Sequence, residues 1–107
     1  PLTTDEMLAA VTTPTMILHG TKDEFCDYEG NAVNTYTHLG TQDRYLITAI
    51  DADHVIWYHP KLLSQHFSTA FFGYYLKGDK TYQPYLTQEN LPVLSHPKLI
   101  LGAYEGQ

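Results

Sequence analysis

Two short aliphatic runs, residues 15–18 (Thr-Met-Ile-Leu) and Arg44–Ile50, constrain this chain most, because the segment between them reads as a helix. Asp27 is placed to cap that helix, Glu29 stands in its first turn, and Gly40 marks its end. Val33, Tyr36 and Leu39 recur at three-residue spacing and predict its inward face. Strand, helix and strand in this order predict a right-handed crossover between two parallel strands rather than a hairpin. Both strands then end at the same sheet edge.

A second, longer helix is predicted downstream. Pro60 suits its first position, Leu63, Phe67, Ala70, Phe71 and Tyr74 repeat at three and four, and Lys77-Gly78 closes it. Residues 79–90 are polar and aromatic with turn signals. Residues 91–104, with Pro92, Pro97 and Leu99-Ile100-Leu101, fit either a loop packed on the body or an extra edge strand.

The 107 residues make one domain at most, and 43% hydrophobic content with 13% aromatic residues is the composition of a chain that buries a core. A net charge of −6, with Lys61, Lys77, Lys80 and Lys98 scattered along the chain, argues against a nucleic-acid partner. The apolar runs are too short for a membrane span, and the opening Pro1-Leu2-Thr3-Thr4-Asp5-Glu6 has no signal-peptide pattern. One cysteine, Cys26, forbids an internal disulfide and leaves the compartment open.

Two parallel strands with their helices do not close a core, since parallel sheets need cover on both faces. The expectation is therefore an α/β chain, residues 1–107, forming the C-terminal portion of a larger doubly wound, mostly parallel sheet with crossover helices. The missing strands would be carried by further polypeptide, and the unpaired sheet edge would also allow self-association.

Functional groups of an open parallel sheet gather outside the carboxyl ends of its strands. Asp23 follows the first strand through His19-Gly20, where glycine permits a sharp turn, and His54 follows the second through Asp51-Ala52-Asp53. Adjacent strands lie about 4.8 Å apart, so short loops leaving them can bring a carboxylate to an imidazole. Such a pair orients one tautomer of the ring and leaves the other nitrogen to move protons for a nucleophile.

The run Pro14-Thr-Met-Ile-Leu-His-Gly-Thr-Lys-Asp23, the pair Asp53-His54, the later Phe71-Phe72-Gly-Tyr-Tyr-Leu-Lys-Gly-Asp79, and Tyr82 with Tyr85-Leu86 together resemble the C-terminal third of an α/β-hydrolase. The chain is most similar to the dienelactone hydrolase and cutinase-like polyester hydrolase branch, over residues 12–86, with 87–107 as an extension. The resemblance implies a Ser-His-Asp ester hydrolase in which Asp23, in a His-Gly-x-x-Asp turn, is the acid and His54, 31 residues later, is the base. It implies small-molecule or polymeric ester substrates, no cofactor and no metal. The departure is that no G-x-S-x-G occurs, and Ser64, Ser68 and Ser95 lie in no such setting. Nucleophile and oxyanion hole would lie in preceding segments, and the chain alone is expected to be inactive.

Other readings compete at these positions. Asp23 also suits a plain turn carboxylate, and His54 a structural histidine satisfied by Asp51 or Asp53. Asp27 has the spacing of a helix cap rather than of the acid. Cys26 follows Asp23 too closely for a nucleophile elbow and reads as a small buried apolar residue. Asp51, Asp53, His54 and His59, with His19, have metal-ligand chemistry without a regular zinc spacing. Trp57 and Tyr58 line a substrate cleft or simply pack, and His38 and His66 fall on helices at exposed or boundary positions. A non-catalytic module that binds a partner through the open sheet edge is the rival from another class. A third strand at 99–101 in a soluble monomer would favour it.

Overall fold

A computed structural model describes residues 4–54, 62–92 and 98–104. Trp57, Tyr58, His59, Pro60, Ser95 and Pro97 lie outside the described residues. The architecture is α/β: a three-stranded mixed sheet with helices around it. The order along the chain is α1 (Asp5–Ala9), β1 (Thr15–Gly20), a π-helical segment (Tyr28–Val33) running into α2 (Asn34–His38), β2 (Arg44–Ile50), α3 (Leu62–Tyr75), two 3-10 helices (Lys80–Leu86 and Gln88–Asn90) and β3 (Lys98–Leu101).

β2 lies in the middle. It pairs parallel with β1, from Thr15 opposite Arg44 to Gly20 opposite Ala49. This is the crossover predicted from the sequence, with β1 two residues longer than the aliphatic run because His19 and Gly20 continue the ladder. On its other side β2 pairs antiparallel with β3, Ile47 opposite Leu101 and Ile50 opposite Lys98. The described sheet is thus mixed rather than mostly parallel. The ambiguous 91–104 region resolves in favour of the edge strand, since Leu99 buries against the core when Lys98–Leu101 extends along β2.

The helix between β1 and β2 begins as expected, with Asp27 accepting a hydrogen bond from the Gly30 amide at 2.7 Å. Its first six residues are wound as a π-helix, which turns Tyr28 and Ala32 onto Leu46 of β2. Its last residue is His38. Leu39 leaves the helix in an extended conformation and buries. Gly40 then lies flush against α1, its amide donating to the Leu8 carbonyl at 3.1 Å. The short α1, not foreseen from the sequence, is capped by Thr4, whose hydroxyl accepts from the Met7 amide, with Asp5 and Glu6 favourably placed in the first turn.

α3 packs across the sheet as its spacing requires, with Leu63, Phe67, Ala70 and Phe71 buried and Phe67 beneath Ile47 and Ala49. Gly78, at φ +67°, ends the connection after it in the left-handed conformation that glycine tolerates. A buried polar chain ties the other face together. The Tyr104 amide donates to the Tyr28 hydroxyl, Tyr28 donates to Thr48 Oγ1, and Thr48 donates to the Gly102 carbonyl, each at 2.8 Å. The directions follow from the two ends, an amide that only donates and a carbonyl that only accepts.

Candidate functional site at the carboxyl ends of the parallel pair

β1 and β2 deliver their following loops to the same edge, and direct backbone bonds stitch those loops together. The Thr21 amide donates to the Ala49 carbonyl at 3.1 Å and the Lys22 amide to the Ala52 carbonyl at 2.8 Å. Thr21 Oγ1 accepts from the Asp51 amide at 2.7 Å, holding Asp51 at φ +62°. Gly20 is required here for space, since a Cβ on it would overlap the Ala52 carbonyl and come within 2.8 Å of that of Asp53. The glycine of the His-Gly-x-x-Asp turn thus acts by letting the His54 loop close over the end of β1.

The closure places His54 Nδ1 2.7 Å from Asp23 Oδ2. The Asp23 side chain is only 5% exposed, whereas that of His54 is 32% exposed. Burial by itself raises the carboxyl pKa of Asp23. Hydrogen bonds from the amides of Cys26 and Phe25, both at 2.8 Å to Oδ1, and the bond and charge of His54 outweigh it, so the net shift is downward. Asp23 is an acceptor on both oxygens, and Nδ1 of His54 carries the proton between them. The basic nitrogen of the neutral ring is then Nε2.

Three further residues belong to this region: His19, which the sequence offered only as a metal ligand, Cys26, which it read as a small apolar residue, and Phe25, which it did not single out. His19, at the end of β1, donates from Nε2 to the Cys26 carbonyl at 2.8 Å, and the same nitrogen lies 3.4 Å from Asp23 Oδ2. Phe25, 79% exposed, presents an edge-to-face ring 5.3 Å from that of His54. It borders a cleft of about 140 Å³ with Glu24, Asp53 and His54. Cys26 brings its thiol to within 4.8 Å of ligand atoms of Asp23 and His54. The order of residues gives no hint of this, because the side-chain direction at Cys26 is set by the two amide bonds to Asp23.

The other sequence candidates separate cleanly. Asp27 caps the helix. Ser64 and Ser68 lie on α3 and not on a strand-to-helix turn. His38 Nε2 faces Asp5 at 3.4 Å, and His66 packs edge-on against Phe67. Among the described residues Asp51 and Asp53 join no metal-capable group; the one that forms is Asp23, Cys26 and His54. No helix among the described residues is long and apolar enough to cross a membrane. Comparison with protein-family models, curated proteins and solved structures returns no match.

Proposed function

We propose that this chain supplies the acid and the base of a Ser-His-Asp ester hydrolase of the α/β-hydrolase type. The observation that carries the reading is the 2.7 Å bond from His54 to a buried Asp23 at the carboxyl ends of adjacent parallel strands. In the reaction, a serine hydroxyl attacks the ester carbonyl while His54 Nε2 takes its proton. The imidazolium, stabilised by Asp23, then protonates the leaving alcohol, and water repeats the sequence to release the acid. Asp23 stays ionised throughout, and no cofactor enters.

The serine and its oxyanion donors come from polypeptide outside these 107 residues, which extends the sheet beyond β1 toward a doubly wound fold. Half-exposed Met16 and Leu18 of β1 and the 52%-exposed Phe72 of α3 line a cleft on that side, and adding strands there would cover them. The assay is release of a chromogenic alcohol at neutral pH. The 107-residue chain alone should be inert above the level of an exposed imidazole. Joined to its upstream sequence it should turn over, and His54→Ala should abolish the turnover. Undiminished turnover in that variant would refute the mechanism.

The second reading is a non-catalytic module, and β3 favours it. Lys98–Leu101 closes one side of the sheet, and Gln88 Oε1 accepts the Leu101 amide at 2.8 Å. A stable monomer whose upstream extension hydrolyses no ester would establish the module.

A further inference from the structure

We propose that Asp23, Cys26 and His54 bind a thiophilic divalent cation, Zn²⁺ foremost, and that the bound ion takes the Asp23–His54 pair out of service. One ligand atom from each residue lies within 4.8 Å of the other two. Tetrahedral zinc with bonds of about 2.0–2.3 Å needs donor separations of roughly 3.5 Å, so modest side-chain rotation suffices. The donors are a carboxylate that hydrogen bonds keep ionised despite its burial, a half-buried thiol, and an imidazole. Sulfur and nitrogen together select zinc, cobalt or cadmium over magnesium and calcium.

Charge and protons balance. Carboxylate and thiolate cancel the two charges of the ion. The Zn–S bond replaces the S–H bond, whose proton passes to water, and the imidazole stays neutral, with its proton on whichever nitrogen does not hold the metal. A cleft bounded by Glu24, Phe25, Asp53 and His54 opens beside the His54 ligand. His19, donating to the Cys26 carbonyl and standing 3.4 Å from Asp23, supports two of the three ligands from behind. The inhibitory consequence rests on the hydrolase reading. The site itself does not.

Titration of the 107-residue chain with Co²⁺ tests it without any substrate. The expected spectrum has a thiolate-to-cobalt charge-transfer band and tetrahedral d–d bands, both displaced by Zn²⁺ and untouched by excess Mg²⁺. Loss of the tetrahedral bands in Asp23→Asn and in His54→Gln, with His38→Ala unchanged, is predicted. A charge-transfer band unaltered in both Asp23→Asn and His54→Gln would show a lone thiol binding by itself and would overturn the site, as would no band at all. For the unaltered chain, Zn²⁺ must also shift the ring ¹⁵N resonances of His54 and leave those of His38 in place. Unmoved His54 resonances would overturn the site even if a variant failed to fold.

Discussion

The two sides of the sheet are finished to different degrees. On the closed side, Leu46, Ile47, Thr48 and Ala49 of the central strand β2 are 0% exposed, and β3 is joined to it by ladder bonds and by the Tyr28–Thr48–Gly102 chain. On the other side, Thr15, Met16, Ile17 and Leu18 of β1 are part-buried, and among the described residues β1, like β3, pairs with β2 alone. The dyad stands at the end of β1, at the seam between them. Its geometry is fixed by the bonds between the loops that follow β1 and β2, and in the proposed function the β1 edge is where a nucleophile would arrive.

Substitutions that separate the two sides make the contrast measurable. Phe67→Ala, beneath the centre of the closed side, should cost about 3–5 kcal/mol in urea unfolding, whereas Phe72→Ala on the open side should cost less than about 1 kcal/mol. Equal losses would show that the open side is as well packed as the closed one. Thr48→Val strands the Tyr28 hydroxyl and the Gly102 carbonyl, at an expected cost of about 1–3 kcal/mol. Loss of a similar size is expected for Gly20→Ala, about 1–3 kcal/mol from overpacking against the Ala52 carbonyl. Unlike Thr48→Val, it should also shift the imidazole resonances of His54, since it pushes the two loops apart.

The smallest effect is the dependence on acid. Asp23 has a folded pKa below its ordinary 3.8, so its contribution to stability is complete above that value and disappears as pH falls through the lowered one. Comparison of the unaltered chain with Asp23→Asn should show a gap in unfolding midpoint that closes between neutral pH and strong acid. A gap that stays constant would mean that Asp23 is not the group titrating.

The parts of the fold that were legible are those fixed by local pattern. Aliphatic runs announced β1 and β2, Asp27 announced its helix, and the spacing from Leu63 to Tyr74 announced α3. β3 was open between strand and loop because four residues after Pro97 carry too little pattern, and antiparallel pairing with β2 decided the matter. The five-residue α1 depends on docking to Gly40 and to Asn34 and His38 of α2, and the π-helical winding after Asp27 depends on the core that receives Tyr28. At the site, Asp23 and His54 were legible from their places after two strands. The position of the Cys26 thiol, the bond from His19 and the ring of Phe25 beside His54 were not, because each follows from how residues 20–27 fold on themselves.

Asp23 holds the proton of the neutral His54 ring on Nδ1. The ¹⁵N chemical shifts of the His54 ring, measured on the 107-residue chain at a pH where the ring is neutral, test that claim most directly. A protonated Nδ1 and an unprotonated Nε2 are expected, with this preference lost or reversed in Asp23→Asn. A ring protonated at Nε2, or shifts that Asp23→Asn leaves unchanged, would contradict it.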